Sequence, residues 1–192
     1  MIIKAYIGVI GSGKDYRCSK ECTHKVSFAD GVREDVWKIL GWKPKTEEEY
    51  ENFKQSLYCH VNFSNPRTSV EFPTEITGRT ILQNYAELQK VLHSPNYWIY
   101  RTLDSLENLH KHRTEDMVVG ITDCRFSNEI SALIQFANDL NCDLEFVHCD
   151  YESSKYDRIS EHKSEMLAQK FAGRTFIPGE FNKLIHKLYE LI

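Results

Sequence analysis

The feature that most constrains this chain is an apolar segment followed at once by a glycine-rich loop and a lysine. Residues 2–9 are rich in Ile, Val and Tyr, and residues 10–15 read Ile-Gly-Ser-Gly-Lys-Asp. Together with Gly8 they fit the pattern G-x-x-x-x-G-K, except that Asp15 stands where Ser or Thr is usual. An apolar run before a glycine turn is typical of a buried strand in a parallel sheet. The segment therefore predicts an α/β fold whose first strand leads into a phosphate-binding loop.

The residue types of this loop suit an anion. Glycines let the backbone curl so that N–H groups point at a phosphate, and a helix starting near Lys14 adds the positive end of its dipole. The Lys14 ammonium supplies a point charge for phosphate oxygens. The plain alternative is a glycine turn that only joins a strand to a helix. We predict that phosphate is held by Gly8, Gly11, Ser12, Gly13, Lys14 and Asp15.

Strand and helix patterns alternate along the chain, which predicts one α/β domain with right-handed crossovers. The core is expected at about residues 1–41 and 114–192, with a helical insertion at about 42–113 over the sheet. Thr46 and Glu49 match a capping box at the start of one helix. Further strands are predicted at residues 25–29, 117–122, 144–148 and 174–177. Helices are predicted at 14–22, 30–41, 46–59, 79–92, 96–109, 128–140, 160–171 and 180–191, and residues 60–75 are predicted to be irregular.

Composition argues against other classes of protein. The chain has 24 Lys and Arg against 28 Asp and Glu, and its net charge of −4 disfavours broad electrostatic binding to DNA or RNA. No apolar run approaches the roughly 20 residues that span a bilayer, and the first apolar segment is interpreted as a strand rather than a targeting signal. The six cysteines contain no Cys-x-x-Cys pair, so we expect reduced thiols in a cytoplasmic protein.

Two further candidates follow the predicted strand at 117–122. Asp123 ends that strand, where carboxylates face the ligand crevice of a parallel sheet, so a role on Mg²⁺ or its water shell is expected. The alternative is an Asp that forms a turn or cap. Arg125 should reach the same edge and would clamp a phosphate through its positive charge. The alternative is a salt bridge from Arg125 to Glu129. Asp15 is a second candidate Mg²⁺ ligand, directly or through water.

Motifs in the same order along most of the chain resemble those of one family. The most specific is the segment 122–129, Thr-Asp-Cys-Arg-Phe-Ser-Asn-Glu, which fits the pattern D-x-R-F-x-N-E. The others are residues 11–15, 26–30, 78–83, 97–98 and 162–165. The family is that of the bacteriophage deoxynucleoside monophosphate kinases, relatives of adenylate kinase. Tyr16 departs from it, since the family often has Thr there.

The resemblance implies a P-loop NTPase fold of three layers, α/β/α, with a five-stranded parallel sheet. It also implies a helical insertion that binds the nucleoside monophosphate and a lid near residues 150–165. The implied reaction moves the γ-phosphate of ATP, with Mg²⁺, to a deoxynucleoside monophosphate. The products, a deoxynucleoside diphosphate and ADP, would serve DNA precursor supply. For a phage protein the compartment would be the host cytoplasm.

Site roles carry over with the same resemblance. Arg125 would lie between donor and acceptor phosphates, and Arg79 would approach the acceptor monophosphate. The acceptor site would further include Phe28, Asp30, Gln83 and Trp98, and the lid would supply Lys155, Arg158 and His162. Charge stabilisation would come from Lys14, Arg125, Arg79 and Arg158. The plain alternatives are core positions for the aromatic residues and surface positions for the cations.

Other functions fit part of the same pattern. A phosphomevalonate-type kinase shares the Gly-Lys-Asp loop and a related fold, and it also transfers phosphate to a phosphate. A nucleotide-binding module without transferase activity is compatible with the departures at Asp15 and Tyr16. A kinase acting on nucleic-acid ends is disfavoured by the acidic net charge. A homodimer is expected only because dimers are common among soluble proteins.

Overall fold

The computed structural model describes residues 1–9, 11–64 and 71–149, and the side chains at these positions except 59–75. This part of the chain has an α/β fold with six helices and two sheets. The strands are β1 (Ile2–Ile7), β2 (His24–Val26), β3 (Leu57–Ser64), β4 (Glu71–Thr77), β5 (Val118–Ile121) and β6 (Asp143–His148). The helices are α1 (Lys14–Glu21), α2 (Asp30–Leu40), α3 (Glu47–Gln55), α4 (Gly78–Leu92), α5 (Tyr97–Lys111) and α6 (Ser127–Asp139).

The chain divides into two compact units. The first unit consists of Met1–Ala29 and the described part of Ile99–Ile192, and the second unit is Asp30–Trp98. The first unit contains the larger sheet, whose four strands are parallel and lie in the order β2-β5-β1-β6. This confirms the predicted parallel α/β organisation and four of its strands, with small shifts at their ends.

Strand β1 lies inside the sheet because its side chains are apolar on both faces. Ile3, Ala5, Tyr6 and Ile7 are each at most 1% exposed. In the register of the sheet, Ala5 pairs with Ile121 on one side and Phe146 on the other. A nearly continuous apolar run is what a strand buried on both faces requires.

Helices cover both faces of this sheet. Ile3 and Ile7 of β1 belong to the core cluster that includes Leu106 of α5 and Leu133 of α6. Tyr6 points to the other face, where it packs with Cys18 of α1. α1 lies directly on β5, since a Cβ built on Gly120 would overlap the Cys18 sulfur and stand 2.8 Å from Cys22 Sγ.

The second unit has its own core and its own sheet. Trp37, Phe53 and Val36 form its buried cluster, with the Trp37 and Phe53 ring centroids 4.8 Å apart. Strands β3 and β4 pair as an antiparallel hairpin. Helix α4 follows β4 directly, and its first residue, Gly78, has no room for a side chain because Phe53 lies against it.

The hairpin corrects the prediction for residues 56–77. A helix was expected to continue to residue 59, but α3 ends at Gln55 because Ser56 adopts an extended backbone with φ −64° and ψ 132°. Residues 60–75 were predicted to be irregular on account of their prolines, and that prediction was wrong for residues 60–64 and 71–75, which lie in β3 and β4. Pro73 lies in β4, which pairs with β3 in a sheet of two strands within the described part of the chain, and proline is tolerated in such an edge strand.

Other predictions fall beyond the described residues. These are the strand at 174–177, the helices at 160–171 and 180–191, and the lid at 150–165 with Lys155, Arg158 and His162. The five-stranded sheet is thus seen as four strands within the described ranges. In those ranges no helix has the length and apolarity to cross a bilayer.

Candidate functional site

The candidate site lies at the carboxyl edge of the parallel sheet. The glycine loop follows β1, and residues 122–126 follow the neighbouring strand β5. The turn at residues 27–29 follows β2. Strand β2 pairs with β5 on the side of β5 that faces away from β1. Because parallel strands end at the same edge, these three connections lie next to one another, as predicted for Asp123 and Arg125.

Glycine is required in the loop by its backbone shape. Gly11 and Gly13 have φ angles of 81° and 79°, in the left-handed region that favours glycine. Ser12 N donates to Val9 O at 3.1 Å, and Arg17 N donates to Gly13 O at 2.9 Å as α1 begins. The backbone thus turns back on itself between the strand and the helix.

Gly8 is required for a different reason, which is the close approach of another strand. A Cβ at this position would overlap the carbonyl oxygen of Cys149 and Ser12 Oγ. Cys149 follows β6, and its N–H donates to Ile7 O at 2.8 Å. The start of the loop is therefore packed against the end of a neighbouring strand, which fixes its position at the sheet edge.

The Lys14 ammonium lies inside the curve of its own loop. The Lys14 side chain is buried, and Nζ donates to Gly8 O and Val9 O, both at 2.7 Å, and to Ser12 Oγ at 3.3 Å. A buried cation needs such partners, because desolvation without them is costly. The loop thus holds a positive charge at the amino end of α1, where backbone N–H groups and the helix dipole also favour an anion.

Asp15 lies beside Thr122, the first residue after β5. Asp15 Oδ1 accepts a hydrogen bond from Thr122 Oγ1 at 3.0 Å and pairs with the Lys25 ammonium. Burial opposes ionisation of Asp15, but the hydrogen bond and charge of Lys25 outweigh it and hold its pKa below the usual value. The side chain of Asp15 is 70% exposed, so its ionised carboxylate is accessible to a ligand.

Asp123 is engaged by the turn that follows β2. Its Oδ1 accepts from Phe28 N at 3.0 Å, and its Oδ2 accepts from Ala29 N at 3.0 Å and from Ser27 Oγ. Asp123 thus ties the end of β5 to the residues after β2, which is a structural role different from the local turn or cap considered above. Its role on Mg²⁺ stays a prediction. Phe28 is buried in the core cluster of the first unit, which agrees with the core position considered as the alternative to a ligand contact.

Arg125 is held through its backbone by a buried acid. Glu129 is 8% exposed, and its Oε2 accepts from Arg125 N at 2.6 Å and from Phe126 N at 2.9 Å. Burial is the main cause that raises the Glu129 pKa to about 7, against the lowering effect of these two N–H groups. This hydrogen bond from the Arg125 backbone is a different contact from the salt bridge between Arg125 and Glu129 that was considered as an alternative.

The remaining predicted site residues belong to the second unit. Asp30 begins α2 and forms an ion pair with Arg33. Arg79 and Gln83 are exposed and lie four residues apart on one face of α4. Trp98 is buried and its Nε1 donates to Ala86 O at 3.0 Å, so within this unit it anchors the core.

Sequence reasoning missed Thr122 and Glu129 as parts of the site. Thr122 gave no signal of its own, since a Thr at a strand end is common. Glu129 gave a usable one: a Glu two positions after the first residue of α6 is placed to reach back to the N–H groups before that helix. Both residues contact a predicted site residue rather than standing alone.

Across residues 1–9, 11–64 and 71–149, no three His, Cys, Asp or Glu side chains are grouped so that they could hold a metal ion. Neither the scan against protein-family models nor the search of curated proteins finds a match to this chain.

Proposed function

We propose that the protein is a P-loop phosphotransferase that moves the γ-phosphate of ATP to a deoxynucleoside monophosphate. The observation that carries the proposal is the buried Lys14 ammonium inside a loop with two left-handed glycines, at the carboxyl end of β1. A positive charge and N–H groups at a helix start are what a phosphate chain requires. The reaction would give ADP and a deoxynucleoside diphosphate, for DNA synthesis in the cytoplasm of a phage-infected host.

The strand order supports a P-loop NTPase fold of three layers. β1 has β5 on one side and β6 on the other, and β2 lies beyond β5. In open parallel sheets, ligands bind outside the carboxyl ends of the strands at the point where the strand order reverses. The glycine loop follows the strand at that point, so topology and loop chemistry favour the same site.

Within this proposal, the chain's own residues act by placing positive charge. Phosphoryl transfer needs positioning and charge stabilisation more than covalent chemistry. Lys14 would bind the donor phosphates, and Arg125 would stabilise the group in transfer from the end of the neighbouring strand. No general base is required, because the acceptor is already a phosphate dianion. Arg79 and Arg158 are proposed as further cations of the site.

Asp15 and Thr122 fit Mg²⁺ as the protein side of its site. They offer a carboxylate and a hydroxyl oxygen 3.0 Å apart, and Mg²⁺ in such sites takes oxygen ligands from one or two carboxylates together with phosphates. When bound, Mg²⁺ neutralises charge on the phosphate oxygens. Thr122 would orient Asp15 through the observed hydrogen bond, and Lys25 would keep it ionised. We retain Asp123 as a candidate for the water shell.

The acceptor class rests on the resemblance to phage deoxynucleoside monophosphate kinases. Arg79 and Gln83 are exposed on one face of α4, which leaves both available to a ligand. A phosphomevalonate-type acceptor and a silent nucleotide-binding module remain as the outcomes that the experiment must separate.

The test is an ADP-release assay with ATP, Mg²⁺ and a panel of acceptors. The panel contains dAMP, dCMP, dGMP, dTMP, 5-hydroxymethyl-dCMP, AMP and phosphomevalonate. We expect turnover with at least one deoxynucleotide, and its loss in Lys14→Ala. Lys20→Ala is the matched control, because Lys20 is an exposed lysine of the same helix. Arg125→Ala should lower kcat by about 10²–10³.

Two results would contradict the proposal. Turnover with phosphomevalonate alone would assign the other kinase class. ATP binding without turnover of any acceptor would favour the nucleotide-binding module.

A further inference from the structure

We infer that Glu129 is a positioning residue, which holds the backbone of Arg125 so that its guanidinium meets a bound phosphate. The inference rests on the proposed function, in which Arg125 contacts the phosphate in transfer. It is carried by the two hydrogen bonds that Glu129 Oε2 accepts, from Arg125 N at 2.6 Å and Phe126 N at 2.9 Å.

These bonds do more than cap a helix. Phe126 is the capping residue of α6, and its side chain has no oxygen to accept the exposed N–H groups of the first turn. A Glu at the position of Glu129 ordinarily reaches back to the N–H of the capping residue alone. Here the same oxygen also binds the N–H of Arg125, which lies outside the helix. The shorter of the two bonds therefore restrains the candidate phosphate clamp rather than the helix.

The segment is also fixed at its other end. Asp123, two residues before Arg125, accepts from Phe28 N and Ala29 N, both at 3.0 Å. Cys124 between them is 3% exposed. Carboxylates thus restrain the segment on both sides of Arg125, and the Glu129 carboxylate binds the N–H of Arg125 directly.

Burial makes the contact with Glu129 strong. Glu129 is 8% exposed, so water competes little for its acceptor oxygen. Buried hydrogen bonds to a charged group are stronger than exposed ones, and a buried N–H left without its acceptor is costly. Without this acceptor, the Arg125 backbone would shift to find a new partner.

The experiment compares substitutions that keep or remove the acceptor. Glu129→Gln keeps a carbonyl oxygen that can accept both N–H groups, whereas Glu129→Ala removes it. We expect Glu129→Ala to lower kcat by about 10–100-fold with the KM for ATP within about threefold, because small displacements of catalytic groups have effects of this size. Glu129→Gln should restore most of kcat. Glu107→Ala, at a glutamate of α5 whose side chain is 47% exposed, is the matched control.

A double-substitution cycle with Arg125→Ala separates positioning from general structural damage. If Glu129 acts through Arg125, Glu129→Ala should change kcat less than about twofold once Arg125 is alanine. Equal losses of kcat in both backgrounds would overturn the inference, since they would mean that Glu129 acts on the fold as a whole.

A second measurement does not depend on turnover. Amide hydrogen exchange should show the Arg125 and Phe126 N–H groups protected in the wild type and in Glu129→Gln, and unprotected in Glu129→Ala. Protection that survives in Glu129→Ala would overturn the inference. If no acceptor is turned over, the proposed function fails. The positioning role of Glu129 is then tested by the affinity of each variant for tripolyphosphate. Equal weakening by Glu129→Ala and Arg125→Ala would support positioning, and weakening by Arg125→Ala alone would overturn it.

Discussion

Single residues of the first unit hold its loops together through hydrogen bonds from backbone N–H groups to acids. Asp123 is the clearest case, because its two oxygens accept from Phe28 N, Ala29 N and Ser27 Oγ. A carboxylate that accepts several N–H groups acts as a cross-link between two strand ends that are far apart in sequence.

Replacing Asp123 by Asn should therefore destabilise the protein although the shape is kept. The amide nitrogen of Asn is a donor. In either orientation of the amide it would face an N–H or a hydroxyl group that needs an acceptor. We expect a loss of about 1–3 kcal/mol in the free energy of unfolding. Urea denaturation measures it, with Asp116→Asn at an exposed position as the control. Equal stability of the two variants would contradict the prediction.

Glu129 should make stability fall as the pH rises. Its pKa is raised from 4.5 to about 7 in the folded protein, mainly by burial. Below pH 4.5 both the folded and unfolded states carry the proton, so the group contributes no difference. Between the two pKa values the unfolded chain releases the proton and the folded chain retains it, which favours unfolding. Above pH 7 the full penalty applies, on the order of 3 kcal/mol.

Glu129→Gln removes this titration, so its stability relative to the wild type should increase from pH 4.5 to pH 8. Urea denaturation of both proteins across that range measures the difference. A difference that stays constant with pH would show that Glu129 ionises normally in the folded state.

At the scale of residues, the sequence predicted which candidate residues lie at one sheet edge but not their hydrogen-bond partners. Lys14, Asp123 and Arg125 were predicted at one sheet edge because each follows a buried strand, and that placement is confirmed. The partners of Asp123 are backbone groups 94 and 95 residues away in sequence. No local pattern carries such a contact, because backbone N–H groups are the same at every position except proline.

At the scale of elements, two glycines of the loop should differ in how much stability they lose on substitution by alanine. Gly13 is required by its backbone conformation and Gly8 by close packing. Gly13 has φ 79° and no atom within 4 Å of a built Cβ, so Gly13→Ala should lose about 1–2 kcal/mol from backbone conformation alone. Gly8→Ala should lose more, because its methyl group would overlap the Cys149 carbonyl and displace the end of β6. Denaturation of both variants measures the order. A less stable Gly13→Ala would contradict this packing of the loop.

Elements marked by a local sequence motif, such as the N-terminus of α3, were predicted well. The β3–β4 hairpin, which depends on pairing between two separate segments, was not predicted. The N-cap of α3 is confirmed, since Glu49 N donates to Thr46 Oγ1 at 3.1 Å, while the Glu49 side chain accepts from Lys45 N, the residue before the cap, at 2.6 Å. The β3–β4 hairpin was missed because prolines were interpreted as signs of a loop. A hairpin depends on pairing between two segments, and a strand of a two-stranded sheet tolerates proline on its unpaired side.

At the scale of the whole molecule, the two units should respond differently to a nucleotide. All three tryptophans, Trp37, Trp42 and Trp98, lie in the second unit, whereas the phosphate loop lies in the first. Each unit has a core cluster of its own. Tryptophan fluorescence therefore reports unfolding of the second unit alone, and far-UV circular dichroism reports both.

We expect MgATP to shift one unfolding transition in circular dichroism to higher urea and to leave the fluorescence transition in place. At 100 times Kd the stabilisation should be about 2.7 kcal/mol. Lys14→Ala should abolish the shift. Coincident transitions that both move with MgATP would show that the two units unfold as one.

The strand order of the larger sheet could not be predicted from the sequence. The alternation of strands and helices predicted a parallel sheet, and its class is confirmed. The strand order depends on long-range pairings such as that of Ile2 with Val118. Parallel strands are joined by long connections, so no short turn motif in the sequence marks which strands pair.

That pairing has a consequence for how the protein is made. β1 is synthesised well before its partners on either side, which begin at Val118 and Asp143. At about 5–20 residues per second, synthesis needs on the order of ten seconds before both partners exist. During that time an apolar strand and its glycine loop have no sheet to join. The nascent chain should therefore bind a holdase chaperone through β1, and the glycine loop that follows β1 should be among the last parts to assemble.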